Sequence, residues 1–255
     1  MTFHKIEPER IASAIRRQIE SLILRGVLRP GARLPAERDL AAQLSVSRPS
    51  LREALAELEQ AGLIVTRPGA GAYVADVLGS AFAPPLVRLF STHSEALFDY
   101  IAFRRDLEGL AAARAAREAS DTDLSIITAI FQRMEAAHAR RAAREEAALD
   151  ADFHMAIVEA SHNVVMLHMM RSMFEMLREG VFYNRQTMFA MRTTRSELLQ
   201  QHRAIHDAVT GRDPAAARAA VEAHMDFVES ATREQIRIAR NEDTAQLRFA
   251  QEQAK

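Results

Sequence analysis

Ile11, Ile15, Ile19, Leu22 and Ile23 recur at spacings of three and four, the period that gathers apolar residues on one face of an α-helix. The pattern predicts a helix over residues 8–25, with Pro8 in its first turn and Gly26 as its stop. Arg29-Pro30-Gly31 then turns the chain. Leu40, Ala41 and Leu44 give an inward side to a short second helix over about 36–44. After a brief turn at Ser45-Val46, Ser47 is placed to cap a third helix that runs to about Ala61, where Gly62 ends it. The rhythm changes next: LIVTR (63–67) and AYVA (72–75) are β-prone and flank Pro68-Gly69-Ala70-Gly71, a hairpin pattern. Three helices and a hairpin within residues 8–75 make the layout of a winged helix-turn-helix.

The rest of the chain is punctuated far less. Between residues 95 and 250 only Gly109, Gly180, Gly211 and Pro214 interrupt it, so long helices are expected. They are predicted at about 94–119, 121–139, 141–160, 163–178, 180–190, 192–210 and 213–238, with Asp121, Asn163 and Asp213 as caps and Gly211 as a stop. Val77 to Pro85, VLGSAFAPP, mixes small residues with two prolines and reads as a linker. The expected division is a winged helix over 1–76, a linker over 77–90, an all-α helical bundle over 91–238 and a polar, frayed tail over 239–255. The fold class is mainly α.

Composition narrows the possibilities. The 255 residues are 48% hydrophobic and 26% charged, which suits a globular chain. No run approaches the roughly 18 apolar residues of a membrane span. The first residues, MTFHKIEPER, lack a signal peptide's apolar core, so no membrane partner and a cytoplasmic location are expected. With no cysteine there is no disulfide, thiolate metal site or cysteine nucleophile.

The net charge of −1 argues against indiscriminate coating of nucleic acid, yet local charge is another matter. From Arg25 to Arg52 there are six arginines and two acids, the kind of concentration a phosphate backbone attracts. Arg48 and Arg52, four apart, project from one face of the third helix near its start. In a helix-turn-helix that half enters the major groove, where arginine's two-pronged donor matches guanine O6 and N7. Ser47 and Ser50 can reach phosphate or base, Arg38 approaches the backbone from the second helix, and the glycines at 67–71 suit a wing laid on the minor groove.

A second cluster is subtler. Asp150 and His154 stand four apart and share a helix face, and His202 and His224 lie on later helices. Oxygen and nitrogen donors without sulfur suit zinc, nickel, manganese or a related divalent ion. Spacing alone selects this set weakly, because nine histidines create accidental pairs and His202–His206 is a rival at the same interval. The methionines 166, 169, 170, 173 and 176 read as packing.

Residues 26–75 carry PG…LPAER, VSRPSLREAL and GL…PGAGAYV, and closely resemble the winged helix of the GntR superfamily of bacterial transcription regulators. That resemblance implies that Arg38, Arg48, Ser50, Arg52 and Gly69 contact double-stranded operator DNA. RRDLE (104–108), D-x-x-x-H-x-A-I-x-x-A-S-x-N (150–163) and H-R-A-I-x-D-A-V…H (202–224) resemble the helical FCD effector domain of the FadR-like branch, over about 90–235. It implies a divalent metal ion, zinc first and nickel or manganese as alternatives, held by Asp150, His154, His202 and His224. It further implies that Arg104 faces a small organic-acid effector; from the residues themselves, Arg105 is expected in solvent, and Tyr183 and Asn184, polar among Phe182, Met188 and Phe189, are further candidates for the cavity lining. His162, His168 and His206 are expected to pack or to support the site. The expected protein is a ligand-controlled homodimeric regulator, a repressor first, and not an enzyme. Two alternatives stand beside it: a regulator for which the ion itself is the signal, and a metal-dependent enzyme whose cluster activates water.

Overall fold

The computed structural model describes residues 10–76, 84–178 and 192–253. They form two compact units, one on each side of residues 77–83.

In the first unit, helices α1 (Ile11–Leu24), α2 (Glu37–Gln43) and α3 (Arg48–Gln60) precede strands β1 (Ile64–Arg67) and β2 (Gly71–Val74). Ile15, Ile19 and Ile23 of α1 meet Leu40 and Ala41 of α2 and Leu51, Ala54 and Leu58 of α3 in one core. Ile11 departs from the expected stripe and is exposed at the helix start; Pro8 lies outside the described residues. Ser47 does cap α3: its Oγ accepts from the Ser50 backbone N–H at 3.3 Å. Strands β1 and β2 pair antiparallel, Ile64 opposite Val74 and Arg67 opposite Gly71. Gly69 and Gly71 turn the tip with φ of 72° and 98°, a region that disfavours any residue with a Cβ.

A feature the sequence pattern did not predict ties this wing to the helices. Residues 31–34 run beside β2, with Leu34 N–H donating to Ala72 O and Val74 N–H to Ala32 O, both at 2.9 Å. The stretch is too short and too rich in Pro and Gly neighbours to announce itself as a strand. From the other side, Glu59 of α3 accepts from the Thr66 N–H at 2.8 Å.

The second unit is helical: α4 (Pro84–Thr92), α5 (Ser94–Glu118), α6 (Asp121–Arg140), α7 (Ala143–Ala160), α8 (Val164–Arg178), α9 (Arg192–Thr210) and α10 (Pro214–Gln253). Its main core gathers Ile101, Phe131, Met134, Phe153, Leu198, Ile205, Val221 and Met225 from five of these helices. A smaller core holds Tyr100, Val158, Leu167, Met170 and Phe174, with Val87 and Phe90 of α4 against it. Gly109 lets α5 and α10 approach closely: a Cβ there would meet Arg218 Cγ at 3.4 Å and Glu222 Cγ at 3.6 Å.

Several expectations need correction. Residues 84–90, expected as linker, belong to helix α4, because proline is tolerated in a first turn where its missing N–H costs nothing. The tail expected to fray from residue 239 is helical to Gln253, since nothing after Pro214 breaks the helix. The cap of α6 is Ser120 rather than Asp121: Ser120 Oγ accepts from Asp123 N–H while the Asp123 carboxylate accepts from Ser120 N–H, a reciprocal capping box. Helix α9 does stop before Gly211, and the left-handed residue that follows is Arg212, with φ 56°. Asn163 and Asp213 do cap, through Met166 N–H and Ala216 N–H. Met170 and Met173 are buried as expected, whereas Met169 is half exposed. The helix expected at 180–190, with Tyr183 and Asn184, lies outside the described residues.

Candidate metal centre and nucleic-acid interface

Helices α7, α9 and α10 bring Asp150, His154, His202 and His224 together, although 74 positions separate the first from the last. All four side chains are buried, and one donor atom from each lies within 4.8 Å of the others. His154 Nε2 is 3.2 Å from His202 Nε2, and Asp150 Oδ1 is 3.0 Å from His202 Nε2 and 3.8 Å from His154 Nε2. Donors held about 2.0–2.2 Å from one ion stand roughly 3–4.4 Å apart, so the four fit a divalent cation after an adjustment of a few tenths of an ångström.

Electrostatics favour the same use. Burial lowers the pKa of His154 against the pull of Glu108 and Asp150. Burial again, then the neighbouring His202 and His154, holds His224 well below the usual histidine range. Neutral rings keep a lone pair for an ion.

Around these four stand Arg104, expected from the sequence, and Glu108 and Gln201, which the sequence pattern does not single out. His154 Nδ1 lies 2.6 Å from Glu108 Oε2, and Glu108 Oε1 accepts from Arg104 Nε at 2.6 Å. His224 Nδ1 is 3.0 Å from Gln201 Oε1. Burial is the largest influence on Glu108 and pushes its carboxyl up, but Arg104 and His154 outweigh it and bring the pKa down to about 2. Arg104 is the first of the lowering influences and a permanent cation, so the carboxylate is ionised without requiring a charged His154. Arg104 is 1% exposed, with its guanidinium 4.9 Å from the Phe174 ring centre and 5.9 Å from that of Tyr100. Glu108 had a signal in the sequence, standing one turn from Arg104 in RRDLE; Gln201, beside a ligand in QQHR, had almost none.

The rival histidine goes elsewhere. His206 Nε2 lies 3.1 Å from Thr128 Oγ1, its Nδ1 lies 2.8 Å from Asp207 Oδ1, and the ring stacks on Phe131. His162 pairs with Asp123 at 3.0 Å, and Arg105 reaches Asp226 at 3.0 Å on the surface.

In the first unit Arg48 and Arg52 both point outward, their side chains 58% and 61% exposed. They share one anchor on α2: Glu37 Oε2 is 2.7 Å from Arg52 Nε and 3.8 Å from an Arg48 terminal nitrogen. Ser50 is part-buried and its hydroxyl meets that of Ser47 at 2.8 Å. Arg38 is highly exposed beside Asp39, and Gly69 sits at the tip of the wing with open space where a Cβ would be. Arg67 lies over the Tyr73 ring at 4.6 Å, adding a fixed cation near the tip.

Residues 11–74 match the model of the bacterial regulatory proteins of the gntR family, and residues 99–227 match the FCD domain. A protein of Escherichia coli (strain K12) named for regulation of an L-lactate dehydrogenase operon is 37% identical over 227 residues, covering 87% of this chain and 86% of its own. The chain belongs to the gntR family.

The Glc operon transcriptional activator of the same organism is 34% identical over 224 residues, covering 87% of this chain and 88% of its own. A solved GntR structure from Streptococcus agalactiae superposes with a TM-score of 0.52 at 25% identity, over 86% of this chain and 99% of that one. As a GntR regulator with an FCD domain, the protein is a DNA-binding transcriptional regulator and not an enzyme. Among the described residues no helix is long and apolar enough to cross a membrane.

Proposed function

We propose that this regulator is a homodimeric repressor whose grip on its operator is loosened by a small organic acid bound beside a divalent metal ion. The observation that carries the reading is the buried Asp150–His154–His202–His224 cluster, in the same chain as an arginine-fronted recognition helix. Arg48 and Arg52 read base edges from α3, Ser50 and Arg38 meet phosphates, and Gly69 allows the wing's backbone to approach the duplex closely. One recognition helix per chain calls for a twofold partner, with half-sites about 34–36 Å apart.

In the helical unit Asp150, His154, His202 and His224 hold the ion, zinc, nickel and manganese all suiting a set of three nitrogens and one oxygen. The ion supplies positive charge that attracts a carboxylate, and Arg104 adds a second cation close by. A relative named for an L-lactate dehydrogenase operon makes small hydroxy acids the first class to try.

The test is DNA binding by fluorescence anisotropy at fixed metal concentration, with acids of two to six carbons titrated in. Release by an acid, by about 5–150-fold in affinity for a coupling of 1–3 kcal/mol, supports the reading. Tightening by the acid refutes the repressor sign, since relatives include an activator. A response to metal alone, with every acid silent, makes the ion the signal and removes the acid from the mechanism.

A further inference from the structure

The three rings of the cluster are supported unequally. His154 has a carboxylate behind its Nδ1, His224 has the neutral amide of Gln201, and His202 Nδ1 is buried with no hydrogen-bond partner among the described residues. The shortest of these contacts, and the one to a charged group, belongs to His154, in a chain that starts with a buried arginine. Arg104 Nε holds Glu108 Oε1 at 2.6 Å, and Glu108 Oε2 meets His154 Nδ1 at 2.6 Å, with all three side chains at most 3% exposed. We infer that Glu108, clamped by Arg104, is the positioning residue of the metal centre: it fixes His154 with Nε2 aimed at the ion. The inference rests on the proposed metal site and adds to it a division of labour that no ligand set reveals.

Geometry supplies the argument. At 2.6 Å a ring nitrogen and a carboxylate oxygen must share a proton; with Glu108 paired to Arg104 that proton belongs to Nδ1, although Oε2 lies off the line of an ideal hydrogen bond, and Nε2 keeps its lone pair. Nε2 is the atom 3.2 Å from His202 Nε2 and 3.8 Å from Asp150 Oδ1, the side on which an ion would sit. A ring flip would turn that lone pair away. It is opposed by the Glu108 contact and by Phe153 and Phe174, whose ring centres lie 5.9 Å and 6.5 Å from that of His154. Carboxylate support also strengthens a histidine as a donor, and outer partners of this kind alter metal affinity about 10–100-fold.

Arg104 has a corresponding task. Glu108 and Arg104 are one helical turn apart on α5, so a single element presents the pair. Removing the arginine would leave a buried carboxylate uncompensated; a lysine would replace the charge but not the fork. Arg104 is therefore a strut for the metal centre whether or not it also meets an acid.

Competition with a chromophoric chelator measures the affinity of full-length protein for zinc in the wild type, Glu108→Gln, Arg104→Lys and two double variants. Glu108→Gln is nearly isosteric, and circular dichroism checks that each variant retains its helices. The expected result is a loss of about 10–100-fold for Glu108→Gln and a smaller loss for Arg104→Lys. The Glu108→Gln effect should persist in a His224→Ala background and vanish in a His154→Ala background, because only His154 receives its support.

Unchanged affinity in Glu108→Gln overturns the inference while leaving the metal site standing. Equal losses in both backgrounds also overturn it, showing general damage to the core rather than support of one ring. If the wild type retains no zinc, nickel or manganese, the metal centre itself fails, and this inference with it.

Discussion

Arg48 and Arg52 act as a pair because of a third residue. Glu37 reaches across from α2 to both, so the two guanidiniums are held on the outer face of α3 before any DNA arrives. Long side chains lose rotamer freedom on binding, and restraint beforehand reduces that cost. Replacing Arg52 by alanine should cost about 1–3 kcal/mol of discrimination, roughly 5–150-fold, between operator and scrambled duplex. Because the residue is exposed, folding stability should change by less than about 0.5 kcal/mol. Anisotropy titrations on both duplexes, with a urea melt of the same variant, check the pair of expectations; equal weakening on both duplexes would make Arg52 a phosphate contact instead. Glu37→Gln should keep the preference but weaken binding, as the tether loosens. The offset of four between the arginines was legible in the sequence, since helical spacing alone puts them on one face. Their shared partner was not, because Glu37 lies on another helix and only the turn between α2 and α3 brings it into reach.

Helix ends and interruptions decide what could be read at the scale of elements. Ser47, Gly26 and Gly62 marked true ends, since a cap or a left-handed residue is a local requirement that the sequence must meet locally. The start of α6 was misread by one position because Ser120, Asp121 and Asp123 are all plausible caps, and only the reciprocal bonds choose among them. That box has a pH signature. Burial raises the Asp123 pKa, but hydrogen bonds from Ser120 and the nearby His162 outweigh it, and the net shift is downward from 3.8. A carboxylate with a depressed folded pKa contributes stability above its ordinary range and loses it as pH falls through the folded value. Asp123→Asn should therefore destabilise by about 1 kcal/mol at pH 7, with the difference from wild type shrinking steadily on acidification below pH 4 in urea titrations. A pH-independent difference would assign the effect to packing. Misreading Pro84-Pro85 and the region beyond residue 238 has a common cause: composition signals polarity or stiffness, while helix continuation depends on the absence of a breaker. The described residues from 239 to 253 are all exposed, so deleting 241–255 should remove helical signal in circular dichroism yet change the unfolding free energy from denaturant titrations by less than about 0.5 kcal/mol.

At the scale of the whole molecule, the four residues proposed to hold the metal all belong to the helical unit, on helices far apart in sequence. Spacing along the chain could relate Asp150 to His154, but nothing local relates either to His202 or His224; only the packing of α7, α9 and α10 does, which is why the family resemblance had to supply the set. The same long-range closure makes the ion a cross-link. Any ligand that binds the folded state alone stabilises it, by about 4 kcal/mol at a free concentration 1,000 times its dissociation constant. For a unit of this size each kcal/mol raises the melting temperature by about 2–4 °C, so saturating metal should raise it by roughly 8–16 °C. A chain with two compact units need not melt in one step, and the increment belongs to the unit that holds the ligands. Calorimetry with and without chelator should show the transition of larger enthalpy, that of the helical unit, moving down on metal removal. The smaller transition of the winged helix should stay in place. His224→Ala should abolish most of the metal-dependent shift, because the three donors that remain, on α7 and α9, cannot close the connection to α10. A shift of equal size in that variant would place the ion elsewhere, and movement of the winged-helix transition instead would assign the metal to the wrong half of the chain.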